Sequence, residues 1–299
     1  MFNQIIPITL TPFREDGTLD LDSIPSLTHF YRDSGACALV VLGIMGEAHA
    51  LSDREREAVV QAYVAAARDL PVIATVSAPA TEVAQERAAR VVELGAQYVM
   101  VAPPTGVSDA SQLVRHFSRV AKVAGVPWVL QDEPVTTGVR LSLHTIALLA
   151  DETPNLCAIK VEDVPTASKI EALHQRLPHI EMFGGLGGVY LFEELRHHAR
   201  ASITGFSYPD LLAKVVAAYA HQPSEARTLF YRYLPLIRYE AQLGVRGIAI
   251  RKSLFYQRGL IASPAVRAPA SPVDHVIEDD LLDLVQVLGL PLSPKKSTI

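Results

Sequence analysis

Cysteine is nearly absent from this sequence: Cys37 and Cys157 are the only two in 299 residues. Both fall in apolar, strand-like runs, where a thiol behaves as a small hydrophobe. Neither shows ligand spacing, so no metal site is expected. A basic tract is also missing, no aromatic residues interleave with basic ones, and the formal net charge is −5. Nucleic acid and anionic membrane surfaces are thereby excluded as partners. No apolar run approaches the length of a membrane span, and Met1-Phe2-Asn3-Gln4 lacks the basic region and apolar core of a signal peptide. A soluble, cytoplasmic protein is expected. What is present fits that class: 49% of the residues are hydrophobic and 20% charged, enough to bury a large core in one or two domains.

Strand-like and helix-like segments alternate along most of the chain. Ile5 to Leu10, Ala38 to Leu42, Pro71 to Val76, Tyr98 to Ala102, Trp128 to Gln131, Ala158 to Lys160, Ile180 to Phe183 and Ala201 to Thr204 read as strands. Between them, Leu21 to Ser34, Ser52 to Arg68, Thr81 to Leu94, Ser108 to Val123, Ser142 to Ala150, Pro165 to Leu177 and Val189 to His198 read as helices. Tyr208 to Ala220 is the eighth. Ser52 with Glu55 three residues on predicts a capping box. Eight such units predict a (β/α)8 TIM barrel over residues 1–222. A doubly wound open sheet has the same alternation. The glycines at 184 to 188 are out of register with G-x-G-x-x-G and follow the seventh strand, so a dinucleotide site is discounted. After Pro223 the alternation stops. Ser224 to Leu243, Val245 to Tyr256 and Asp279 to Leu288 read as a helical extension spanning residues 223–299, with Pro291 to Ile299 a frayed end.

In barrels the working groups collect at the carboxyl ends of the strands. On the sixth strand Lys160 stands alone in an apolar run, with Glu162 two residues on and therefore on the same side. Most lysines at strand ends snorkel to water. An amine kept in an apolar pocket instead becomes a nucleophile toward carbonyls. Thr9, Thr11, the turn Gly43-Ile44-Met45-Gly46-Glu47, Gln131, Gly184 with its glycine run, Thr204 and Ser207 lie at the other strand ends. The glycine run offers backbone NH groups as a carboxylate cradle. Asp132 and Glu133 read as solvated loop acids. His49, His116, His144 and His197-His198 read as surface residues without partners at ligand spacing.

Thr11-Pro12-Phe13, Asp16-Gly17, Gly43-x-x-Gly46-Glu47, Pro134-x-x-x-Gly138 and Ile159-Lys160 together resemble the dihydrodipicolinate synthase / N-acetylneuraminate lyase family. The resemblance covers nearly the whole chain. It implies a TIM barrel with a C-terminal helical extension, a homo-oligomer (tetramer or dimer), and class I lyase chemistry on a small-molecule 2-keto acid. It also implies that Lys160 forms a covalent imine with that substrate, with no separate cofactor. Two departures bear on the substrate. The family's Gly-Thr-Thr-Gly-Glu turn here carries Ile44 and Met45, so two carboxylate-binding hydroxyls are missing. Backbone NH groups of Gly43 to Gly46, with Thr9, Thr11 or Ser207, are then expected to hold the carboxylate. The family's Tyr-Asn-x-Pro at the fifth strand reads Gln131-Asp132-Glu133-Pro134. An amide binds a hydroxyl but exchanges no proton near neutral pH.

The Gln-Asp-x-Pro strand end, Lys160-x-Glu162 and the tail Tyr233-Leu234-Pro235-Leu236-Ile237 are similar to the branch of 2-keto-3-deoxy-sugar-acid dehydratases, 2-keto-3-deoxy-L-arabonate dehydratase among them. In that branch Glu162 matches a proton-handling residue. The expected reaction is therefore dehydration of a 2-keto-3-deoxy sugar acid, catalysed by Lys160, Glu162 and Gln131. Pyruvate condensation of the dihydrodipicolinate synthase kind, retro-aldol cleavage, and a non-catalytic keto-acid-binding barrel are the alternatives.

Overall fold

The computed structural model describes residues 2–241 and 246–292. Eight parallel strands form its centre: β1 (Ile6–Pro7), β2 (Leu39–Val41), β3 (Val72–Thr75), β4 (Tyr98–Val101), β5 (Trp128–Asp132), β6 (Leu156–Val161), β7 (Glu181–Gly184) and β8 (Ala199–Thr204). Neighbours pair in sequence order from β2 to β8, and β8 pairs with β1. The ring closes where Ile8 bridges Val40 and the Thr9 amide reaches the Val40 carbonyl at 2.8 Å. That closure decides for the TIM barrel over an open sheet. The first strand is shorter than its apolar run because Pro7 has no N–H to give a ladder, yet Ile8 continues the contact to Thr204 at 2.9 Å.

The strands are buried on both faces, as parallel strands under a helical layer must be. Helices begin where the capping chemistry says. Ser52 and Glu55 form both halves of the capping box on Asp53–Ala67. Ser142 caps Leu143–Glu152 through the Thr145 amide. Two starts differ from the sequence pattern because an aspartate takes the cap: Asp109 for Ala110–Ala124 and Asp274 for His275–Val287. A four-residue helix, Pro134–Thr137, follows β5 and has no counterpart in the periodicity. Pro223–Ala241 and Arg246–Gln257 complete the C-terminal helices. The expected frayed end, 291–299, lies mostly outside the described residues. Among the described residues, no helix is long and apolar enough to cross a membrane.

Candidate active site

Strand periodicity puts Lys160 and Glu162 on one side of β6, and the in-register pairing of Gln131 with Lys160 brings β5 alongside. The three side chains are buried together. Lys160 Nζ lies 2.9 Å from Glu162 Oε2. Gln131 Nε2 donates to the same oxygen at 2.9 Å, and the Leu186 amide donates to Glu162 Oε1 at 2.9 Å. The carboxylate is thus fixed by an ammonium, an amide side chain and a backbone NH. Gly185 is required beside it, since a Cβ there would stand 2.4 Å from Glu162 Cγ. Leu186 adopts a left-handed φ of 47° to aim its amide at Glu162. The glycine run after β7 is therefore a carboxylate cradle, as its composition suggests, but its occupant is the protein's own Glu162.

Gln131 also lines a cavity of about 570 Å³ above the ends of β2 to β5. Leu42, Gly43, Ile44, His49, Arg56, Thr136 and Thr137 share its wall. A carboxylate fixed beside an amine can take and return protons at a carbon held between them. The cavity beside Gln131 has room for a chain of several carbons.

The remaining residues expected to bind substrate are placed differently from one another. Gly43 and Ile44 face the cavity. Met45 is buried, its Cγ packed over Gly205, where a Cβ would be 2.5 Å away. Gly46 and Glu47 commit their amides to the turn carbonyls of Gly43 and Ile44 at 3.0 Å each. The expected hydroxyl donors are also committed. Thr9 Oγ1 donates to the Val40 carbonyl at 3.2 Å and Thr11 Oγ1 to the Gly46 carbonyl at 2.6 Å. Ser207 gives its hydroxyl to Glu240. Thr204 Oγ1 accepts from the Phe206 amide at 3.3 Å. Gly184 backs onto buried Glu194, whose Oε2 would be 1.7 Å from a Cβ at that position.

Three residues outside that set, Asp132, Glu133 and His116, are buried where the sequence pattern predicts exposure. Asp132 is not a solvated loop acid: β5 extends one residue further, so its side chain points away from Gln131 and is fully buried. It pairs with Lys169 at 2.7 Å, and desolvation, only partly offset by that cation, raises its pKa to about 6. Glu133 is buried and caps the short helix through the Thr136 amide. His116 is not on the surface. It is buried beside Thr81 at 3.0 Å, and desolvation lowers its pKa. Its helix buries Leu113, His116, Phe117 and Val120, a spacing that was there to be read. His197 and His198 do lie at the surface, 3.3 and 3.6 Å from Glu171. Both cysteines are free and part-buried, and desolvation pushes the Cys157 thiol up to about 12. Among the described residues, no group of three or more His, Cys, Asp or Glu side chains is arranged to hold a metal.

The Dihydrodipicolinate synthetase family model matches residues 1–288. The chain belongs to this family. As a member it is a lyase. L-2-keto-3-deoxyarabonate dehydratase of Azospirillum brasilense is 29% identical over 293 residues, covering 95% of this chain and 94% of that protein. 4-Hydroxy-tetrahydrodipicolinate synthase of Exiguobacterium is also 29% identical, covering 96% and 98%. Among solved structures, dihydrodipicolinate synthase from Rhodopseudomonas palustris is 34% identical, with a TM-score of 0.91 over 95% of this chain and 97% of that one. YagE of Escherichia coli K12, solved in complex with pyruvate, is 26% identical, with a TM-score of 0.90 over 97% and 100%.

Proposed function

We propose that this family member dehydrates a 2-keto-3-deoxy sugar acid through a Schiff base at Lys160. The observation that carries the reading is Lys160 Nζ and Gln131 Nε2 converging on one oxygen of Glu162, with no tyrosine hydroxyl at the end of β5. Lys160 passes a proton to Glu162 and attacks the C2 ketone; Glu162 returns that proton to the carbinolamine hydroxyl, which leaves as water to give the iminium and the free carboxylate. Glu162 removes the acidified C3 proton, giving an enamine. The enamine expels the C4 hydroxyl, which takes a proton from Glu162 and departs as water. Hydrolysis of the imine frees the product and Lys160. Gln131 orients substrate hydroxyls and holds Glu162. The full-length similarity to a sugar-acid dehydratase supports this reading. Equal identity to a 4-hydroxy-tetrahydrodipicolinate synthase keeps pyruvate condensation as the second reading.

In this reading residues 1–222 form the catalytic barrel, residues 223–299 buttress it, and the chain assembles as a homo-oligomer, which mass photometry checks. Borohydride reduction in the presence of pyruvate, followed by intact mass, tests the imine. An adduct on Lys160 is expected. No adduct with any 2-keto acid overturns both lyase readings and leaves a binding barrel. A panel of 2-keto-3-deoxy acids then separates dehydration from carbon–carbon cleavage: loss of water without pyruvate release is the expected result.

A further inference from the structure

Gln131 stands between the Lys160–Glu162 pair and the cavity, so what lines the cavity meets whatever extends from the imine. Its Nε2 is taken by Glu162, while its Oε1 accepts no hydrogen bond among the described residues. The strand register carries the same inner wall round to β3. Thr75 pairs with Met100, and Met100 with Val129, two residues before Gln131. Alternation therefore puts Thr75 and Gln131 on one face of the sheet. Thr75 lines the cavity and is only 7% exposed, yet its Oγ1 has no hydrogen-bond partner among the described residues. A buried hydroxyl left unpaired is costly, and a ligand that supplies its partner recovers that cost. Thr105, beyond β4, and Thr136, on the short helix after β5, add two exposed threonines to the same lining.

The charged groups of the lining are turned to the protein itself. Arg56 donates to the carbonyls of Ala48 and Thr75 at 2.9 and 3.0 Å. Arg87 donates to Asp53 Oδ1 at 2.9 Å and to the Ser77 carbonyl at 3.1 Å. Glu133 accepts from the Thr136 amide with both carboxylate oxygens and pairs with no cation among the described residues. The unspent groups are therefore hydroxyls and an amide oxygen, which match the donor and acceptor of another hydroxyl. The unpaired charge is negative, which opposes a second anion.

We propose that this cavity receives the far end of the substrate as an uncharged, hydroxylated chain. Thr75 hydrogen-bonds one of its hydroxyls, and the lining selects against a carboxylate or phosphate at that end. The inference rests on the Schiff-base reading above, whose substrate class it narrows.

The test is borohydride trapping on the full-length protein, read by intact mass as total adduct from each keto acid. The probes are pyruvate, 2-keto-3-deoxyhexonate, 2-ketohexanoate, which lacks the hydroxyls, and 2-keto-3-deoxyhexarate, which ends in a second carboxylate. Wild type should half-saturate with the hexonate at a concentration at least about 10-fold below that for the other two six-carbon acids, since a site built for hydroxyls rejects chains that leave them unpaired. Thr75→Val removes only a hydroxyl that has no partner within the protein. It should raise the hexonate value relative to that for pyruvate by about 2- to 10-fold, the worth of one neutral hydrogen bond. An unchanged ratio overturns the assignment of Thr75. Equal values for the hexonate and 2-ketohexanoate overturn the hydroxyl-binding cavity. A lower value for the hexarate also overturns it, and would make Arg87, through its Nη2, or His49 an anion partner. Failure of wild type to trap any keto acid, pyruvate included, overturns the Schiff-base reading instead.

Discussion

Two buried lysine–glutamate pairs stand among the described residues, and their difference locates the chemistry. Lys160 and Glu162 share one strand, with side chains 3% and 8% exposed. Lys252 and Glu47 join the helix Arg246–Gln257 to the turn after β2, with side chains 0% and 2% exposed. The second pair is closed on all sides. Lys252 Nζ also donates to the Ala265 carbonyl at 2.9 Å and lies 4.1 Å from the Phe13 ring centroid. Glu47 Oε2 accepts from the Arg267 amide at 2.9 Å. Desolvation is the main cause that lowers the Lys252 pKa to about 8. What distinguishes the Lys160 pair is its neighbour: Gln131, which shares the Glu162 carboxylate, lines a cavity of about 570 Å³. Perturbed titration identifies costly burial, and only an open side turns that into a candidate for chemistry.

Replacing each lysine separates the pairs most sharply. Lys160→Ala should abolish borohydride adducts and turnover while the fold survives, as read by mass spectrometry and circular dichroism. Turnover well above background in that variant would remove the Schiff-base assignment. Glu162→Gln should keep the adduct and lower turnover by roughly 10²–10⁴, the worth of one positioned acid–base group; unchanged turnover would leave Glu162 a structural partner. Lys252→Met should do the opposite. It strands Glu47 and should cost about 3–5 kcal/mol in urea unfolding, yet adducts should still form wherever the variant is folded. Loss of adducts from folded Lys252→Met would erase the division between the pairs.

Gln131 tests the open side. Gln131→Ala should weaken binding of a 2-keto-3-deoxy acid by about 1–3 kcal/mol, read in KM, through lost hydrogen bonds. Gln131→Tyr should bring no gain in pyruvate release. A large gain would identify a disabled aldolase rather than a dehydratase.

The first pair was legible in the sequence because both residues obey a local rule. A period of two puts Lys160 and Glu162 on one side, and strand order in a barrel brings Gln131 next to them. The second pair obeys no local rule. Glu47 and Lys252 meet only once the C-terminal helices fold back over the turn after β2. The glycine run was legible as a cradle, but its occupant depends on which carboxylate reaches it first, and Glu162 is already there. Asp132 was lost to a single-residue boundary, since one more residue of strand turns a loop acid into a buried one.

Another buried carboxylate extends the comparison, because no cation among the described residues pairs with it. Glu194, on Leu191–Arg196, is fully buried behind Gly184. Oε1 accepts from Thr166 Oγ1 at 2.7 Å, and Oε2 has no hydrogen-bond partner among the described residues. Desolvation, reinforced by the charges of Glu162 and Glu193, lifts its pKa to about 8. A carboxyl raised in this way keeps its proton in the folded state while the unfolded chain has lost it. Its contribution is therefore fully present below about pH 4.5 and is lost as pH rises toward 8. The raised pKa values of Asp132 and Glu240, about 6 and about 7, place most of their loss below pH 7. Between pH 7 and 8 Glu194 is the largest of these losses, while Lys252, with its pKa lowered to about 8, contributes a smaller change of opposite sign. The Glu194 loss should be about 1 kcal/mol of unfolding free energy across that interval, since a full proton is worth about 1.4 kcal/mol per pH unit. Glu194→Gln should flatten that slope, measured by urea titration at the two pH values. An unchanged slope would mean that Glu194 is already ionised in the folded protein and has a partner that offsets its charge.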